Sequence, residues 1–410
     1  MDNIDEQLYV PFFSPVSTFA LNCGQRDNIS LAAQWLRIAY HDIATHDSEF
    51  GTGGLDASIN VGVEMHETLG DFLFSPIEHV GMADVLAMGA ISAVAGCGGP
   101  AIPFGGGRID ATEAGPETVP EPQQDLASRT ESFKRQGFNA TKMIDLVACG
   151  HSLSGVRKTD FLLIVTEDEP TGVKTFASTV GFDNTIVWEY LDGSAQNVLV
   201  KGSNATTRSD SRIFSSDSWL DAFNGICVGL IGRMLNTVPK TVTLTEPIEL
   251  LDFKVTNTLL FPQGGSLALL TTLRIINSAL NRTVTLFWKE HTGKFCPDAG
   301  CSASSFQVNT TESASLLAAL QGVAVFKSYR FNAAVDLATS ISHFWFKVNN
   351  NNGLAPIMVD NHGANYVIDQ DVVMFDAQCT SPTEAGLTFV MAVQHFSFLL
   401  SFVAKVCFGL

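Results

Sequence analysis

The chain changes texture once, and that change limits its architecture more than any other feature. Up to Val238-Pro239-Lys240, apolar residues recur at helical spacing in runs separated by Gly/Pro-rich loops. Beyond that point come short alternating runs rich in Val, Thr, Leu and Phe. Turn residues such as Gln263-Gly264-Gly265 split them. A helical period does not settle as a strand, so two architectures are joined end to end. The pattern predicts a mainly α domain over 1–240, a β-sandwich-like C-terminal domain over 241–394 and an apolar tail over 395–410. Helices are expected at 28–43, 61–74, 82–94, 126–135, 140–152, 184–192 and 219–235. Strands are expected at 241–245, 267–276, 283–288, 323–331 and 342–348, with a last one at 387–394.

The tail from Leu387 onward has Lys405 as its one formal charge. A membrane span needs about 20 apolar residues, and Gln394 and His395 interrupt this run. The reading is a packed strand plus tail, with a membrane segment or cleaved anchor signal as the alternative. Hydrophobic residues make up 46% of the chain, enough for a sizeable core. The formal charge of -18 excludes a nucleic-acid partner, which needs a basic surface, and suits cations such as calcium. Eight cysteines, with Cys296 and Cys301 close together, accompany Asn-x-Ser/Thr sequons at Asn28, Asn139, Asn204, Asn281 and Asn309. Together they lean towards a secreted protein. The acidic start at Met1-Asp2-Asn3 has no apolar signal core, so no signal peptide is expected in this chain.

Chemistry concentrates in two places. Arg37 and His41 lie one helical turn apart on one face. A neutral imidazole can move a proton between atoms of a small molecule, and a guanidinium beside it stabilises departing negative charge. Those are the groups that cleave a peroxide O–O bond when a metal holds the nearer oxygen. Taken alone, such a pair is commonly a surface pair. His151, at the end of an apolar helix, is the second place; a histidine there is a structural residue unless a cofactor site surrounds it. Gly105-Gly106-Gly107 lacks the Gly-Lys-Ser/Thr of a phosphate loop.

Eight motifs then fall in order: Arg37-x-x-x-His41-Asp42; Gly53-Gly54-Leu55-Asp56-Ala57-Ser58; Cys97-Gly98-Gly99-Pro100; Gly107-Arg108-Ile109-Asp110; Val119-Pro120-Glu121-Pro122-Gln123; Asp145-Leu146-Val147-Ala148-Cys149-Gly150-His151-Ser152; Phe182-Asp183-Asn184; and Ser211-Arg212-Ile213-Phe214-Ser215-Ser216-Asp217. With them the chain resembles the plant/fungal/bacterial haem-peroxidase superfamily, and most of all the secreted ascomycete (fungal class II type) peroxidases. The resemblance covers about 20–240 and implies a two-lobed helical domain with haem b between distal and proximal halves. The partners it implies are hydrogen peroxide and a small phenolic or aromatic reductant, oxidised in one-electron steps.

The resemblance also implies roles. His41 is the distal acid/base and Arg37 the distal cation. His151 is the axial ligand of haem iron, and Asp217 accepts its other N–H. Phe176 lies under the haem, Tyr40 takes the place of the usual distal Phe or Trp, and the Pro120 carbonyl meets reductants. Asp42, Gly54, Asp56 and Ser58 match a distal calcium site. Ser152, Thr179 and Asp183 match a second, proximal one, weakened because Ala177 replaces its aspartate. Cys23 and Cys97 match a family disulfide. Some positions depart from the pattern. Glu67-Thr68 stands where Glu-Asn would orient His41, and Arg157 occupies the manganese-ligand position. Cys149 is expected as a buried thiol, and Trp188 and Trp219 as core aromatics. Two rival functions remain: a pathway-specific phenol-coupling peroxidase, and a degenerate peroxidase fold acting as a binding or cell-wall-associated module.

Overall fold

In the computed structural model the chain forms two units: 1–250 with 314–322, and 251–313 with 323–410. The structure describes residues 8–9, 23, 25–26, 29–61, 80–153, 155–158, 161–165, 172–216, 223–263, 266–276, 281–291, 296–297, 300–305, 307–368, 373–375, 381–383, 386–393 and 402–408. The expected helix at 61–74, with Glu67 and Thr68, lies almost wholly outside these residues, as do Asp217 and Trp219.

The first unit is mainly helical. A two-stranded ribbon, β1 (Gln25–Arg26) with β2 (Ile29–Ser30), leads into α1 (Leu31–Ile43). Then follow α2 (Met82–Gly96), α3 (Leu126–Arg135) and α4 (Ala140–His151). A small ribbon of β3 (Gly155–Arg157) and β4 (Val173–Thr175) precedes α5 (Thr185–Leu191), α6 (Val198–Lys201), α7 (Ser209–Phe214) and α8 (Phe223–Leu235). Caps set several starts. Asp125 accepts from Ser128 N ahead of α3, and Asn139 accepts from Lys142 N ahead of α4. The first N–H groups of α2 have a remote cap instead. Asp110 Oδ2 accepts from Met82 N at 2.7 Å, and its Oδ1 accepts from Ala83 N at 2.8 Å.

α2 is apolar on nearly every side and packs along α1. Their approach requires glycine at 89, where a Cβ would come within 2.0 Å of the Trp35 ring. Two disulfides brace this unit. Cys23–Cys97 is formed, as the resemblance implied. Cys149 is no free thiol, since it is bonded to Cys227 and ties α4 to α8. Trp188, expected in the core, is 60% exposed, because the α5 residues packed inward are Ile186 and Val187.

The second unit is built of antiparallel sheets. β5 (Phe253–Gln263), β6 (Ser266–Ile276), β9 (Gln307–Ser313) and β10 (Val325–Val335) form one, in the order β5-β6-β10-β9. β7 (Thr283–Lys289), β8 (Cys301–Ser304), β11 (His343–Asn349), β12 (Ile357–Val359) and β13 (Tyr366–Val367) form the next. These two share one apolar core, in which Phe331 and Phe346 pack with ring centroids 5.4 Å apart. Cys296 and Cys301 are bonded beside it. β14 (Val373–Phe375), β15 (Ser381–Thr383), β16 (Gly386–Val393) and β17 (Phe402–Phe408) form a third sheet. The apolar tail thus contains a strand paired to β16. No helix among the described residues is long and apolar enough to cross a membrane.

Two boundaries differ from the sequence pattern. Residues 241–245 form no strand. Thr245 N and Ile248 N donate to the carbonyls of Gly106 and Phe104, so this stretch runs along the glycine-rich loop. The short helix α9 (Leu316–Leu320) belongs to the first unit, where Ser315 donates to the Leu8 carbonyl and packs this insert beside α2.

Candidate active site

A cavity in the helical unit gathers Arg37, Tyr40 and His41 from α1, His151 from α4, Pro120 from the Gly/Pro loop, and Phe176. Its volume is about 180 Å³, and it opens partly to solvent. Apart from these groups the walls are mostly apolar, with Leu36, Phe133, Val147 and Ile231 among them.

On the α1 side, the Arg37 guanidinium lies 4.8 Å over the Phe161 ring. Tyr40 meets His41 edge to face at 6.3 Å and stacks on Phe133 at 5.8 Å. Burial keeps the Tyr40 phenol protonated far above its ordinary range, against a hydrogen bond from Gln136 and the charge of Arg129.

His41 is aimed by the residue that follows it. Asp42 is fully buried at the end of α1. Its Oδ2 accepts from Asp56 N at 2.9 Å and Ala57 N at 2.7 Å; its Oδ1 accepts from Ile59 N at 3.0 Å and the Ser58 hydroxyl at 3.3 Å. The loop pays with strain, since Ala57 sits at φ 57° so that these N–H groups converge. Gly54, at φ 121°, lies where a Cβ would be 2.6 Å from the Thr237 carbonyl, so only glycine fits. Gly54 O accepts from Asp56 N, and Asp56 Oδ1 from Ser58 N. The four residues matched to distal calcium are therefore together. Burial pushes Asp42 up to about 7, opposed by the backbone hydrogen bonds and aided by the Asp56 charge. Among the described residues none of the groups acting on Asp42 is a cation. Two buried carboxylates with a hydroxyl and a carbonyl are a hard oxygen set that fits calcium.

The opposite wall is His151. Its Nδ1 lies 2.8 Å from Asp210 Oδ2, and its ring is 4.6 Å from that of Phe176, centroid to centroid. The carboxylate seen on His151 is therefore Asp210; Asp217, expected in that role, lies outside the described residues. Asp210 is fully buried in the first turn of α7. Asn197 Nδ2 also donates to Oδ2 at 2.8 Å, and the Ser209 hydroxyl to Oδ1 at 3.1 Å. Burial alone would raise the Asp210 pKa; the His151 charge and these hydrogen bonds outweigh it and hold the carboxyl below its ordinary range.

This geometry fits haem. With Nδ1 committed to Asp210, Nε2 is the ring nitrogen left to ligate iron, and the apolar walls suit a flat macrocycle. The proximal calcium set is not assembled in the same way. Thr179 donates to Asp183 Oδ1 at 3.0 Å, while Ser152 turns its hydroxyl to the Cys149 carbonyl at 2.9 Å.

Sequence reasoning missed Asp210, Asn197 and Arg129, all buried at or beside the cavity. The one available signal for Asp210 was an acid between two serines just before the apolar pair Ile213-Phe214.

Residues 20–221 match the sequence model of the family described as Peroxidase. The helical unit belongs to the haem peroxidase superfamily. Among curated relatives, an L-ascorbate peroxidase 5, peroxisomal, of Arabidopsis thaliana is 30% identical over 40% of this chain and 59% of its own length. A mitochondrial cytochrome c peroxidase of Cryptococcus neoformans is 32% identical over 29% of the chain and 36% of its own. A WSC domain-containing protein of Arthroderma benhamiae is 32% identical over 78% of this chain, which spans 47% of that protein. The last match extends past the peroxidase segment, since 351 residues are aligned.

Proposed function

We propose that this protein is a haem peroxidase that reduces hydrogen peroxide and oxidises small phenolic or aromatic donors in one-electron steps. The observation that supports it best is the 2.8 Å contact of His151 with buried Asp210, in a cavity that also holds Arg37 and His41. Bound haem b supplies the iron centre at which peroxide is cleaved. His151 holds it through Nε2, and Asp210 keeps the proton on Nδ1. His41 takes a proton from the peroxide and returns it to the departing oxygen, while Arg37 stabilises that oxygen's negative charge. Pro120 lines the cavity, and in this reading its carbonyl meets the donors. The three disulfides among the described residues and the sequons support secretion, since such bonds persist in oxidising compartments.

The purified full chain should show a Soret band and react with peroxide within a stopped-flow mixing experiment. His151→Ala should abolish normal ligation. His41→Ala should keep the Soret band and slow the peroxide reaction by about 10²–10⁴-fold, the usual worth of a general acid–base. Haem uptake without any peroxide reaction in the wild type would instead support a binding module.

Asp42, Gly54, Asp56 and Ser58 hold calcium in this reading. A ligand at 100 times its Kd stabilises by about 2.7 kcal/mol. Chelation with EGTA should therefore lower Tm by about 5–10 °C, and calcium should restore it. An unchanged Tm together with no bound calcium by metal analysis would refute the site.

A further inference from the structure

Arg108 and Arg129 are equally buried in the helical unit, each 6% exposed. Taking a guanidinium out of water costs several kcal/mol unless an opposite charge meets it. Arg108 has that charge: Nη1 lies 2.7 Å from Asp84 Oδ1 and also donates to the Gly105 carbonyl. Arg129 does not. Its Nη2 donates to the Glu121 carbonyl and its Nε to the Gln124 carbonyl at 3.4 Å, both neutral acceptors. Among the described residues no carboxylate pairs with it within salt-bridge distance. The carboxylates of Asp210 and, more weakly, Glu121 attract it through space, but neither pairs with it directly, and Asp210 is already committed to His151, Asn197 and Ser209. Arg129 lines the cavity.

We propose that Arg129 is the carboxylate-binding residue of this cavity, and that its counter-charge arrives with the molecule that fills it. Mostly apolar walls with Arg129 as a buried cation beside the Arg37–His41 pair select a flat organic acid. A guanidinium suits the role because its planar fork matches a carboxylate and it stays charged when buried. Resting on the peroxidase reading, two carriers share this chemistry: a carboxylate side chain of the haem, and a phenolic donor bearing a carboxylate.

The experiment uses the full chain in two arms. In the first, haem and haem dimethyl ester are titrated into the apoprotein and followed by the Soret band. If the haem carries the carboxylate, the wild type binds the ester about 10- to 100-fold more weakly, the worth of a charged hydrogen bond, and Arg129→Gln removes the difference. In the second, binding of 4-hydroxybenzoate and 4-hydroxybenzyl alcohol is measured by calorimetry. If a donor carries it, the wild type prefers the benzoate by about tenfold or more, and Arg129→Gln loses that preference. Arg129→Lys should recover part of either preference, and circular dichroism checks that each variant folds. A wild type that distinguishes neither pair overturns the proposal with no variant needed. A preference that survives in folded Arg129→Gln also overturns it. If no porphyrin binds at all, the peroxidase reading fails separately, and the benzoate arm still decides whether Arg129 binds carboxylates.

Discussion

Asp210→Asn should leave the protein folded and damage its chemistry. The amide is nearly the same size, but it removes the charge facing His151 and puts a competing donor near Asn197 Nδ2. His151 then loses anionic character. Partners behind a metal ligand are typically worth 10–100-fold in affinity or activity, so haem affinity or peroxide reactivity should fall by about that factor. The Fe(III)/Fe(II) potential should rise at the same time. Haem titration, stopped-flow kinetics and a redox titration measure the three. Asp217→Asn is the internal control and should change none of them. If Asp217→Asn proved the damaging variant, the assignment of the His151 partner would be wrong.

Asp84→Ala should be the most destabilising change in the helical unit. Asp84 is 4% exposed and meets Arg108 at 2.7 Å. It also accepts from Gly107 N at 2.8 Å and Arg108 N at 3.3 Å. Arg108 in turn donates to the Leu235 carbonyl, so the pair links α2, the glycine-rich loop and the end of α8. Removing one partner strands a buried charge, which typically costs about 3–5 kcal/mol. For a domain this size, that lowers Tm by roughly 10 °C or more. Asp84→Met combined with Arg108→Met should recover much of the loss, because a buried pair replaced by apolar groups is often near neutral. A fall below about 1 kcal/mol in denaturant titration of Asp84→Ala would show that solvent reaches the pair.

The helices were legible because their signals are local. The expected 126–135 segment is α3, and α4 ends at His151, one residue short of the expected 152. Arg37 and His41 could be placed one turn apart because helical phase depends only on spacing. The His151 partner could not. Residues 209–217 carry two aspartates beside serines, and which one reaches His151 depends on where α7 starts and packs. Cys149 looked like a lone buried thiol because its partner Cys227 is 78 residues away. Trp188 looked like core because aromatic content does not reveal which face of a short helix points inward. Arg129 lies in the expected helix 126–135, but nothing in Ser128-Arg129-Thr130-Glu131 shows that its side chain is buried.

The sequence by itself determined the order of helical and β segments and the Arg37–His41 spacing, which follow from neighbouring residues and from periodicity; the grouping of Asp42 with Gly54, Asp56 and Ser58 was implied by the family resemblance. Tertiary structure alone decided that Asp210 holds His151, that Cys149 closes on Cys227 and that Arg129 faces the cavity with no carboxylate paired to it among the described residues. Each depends on which faces of separate helices meet, and burial, not propensity, sets the energy of those choices.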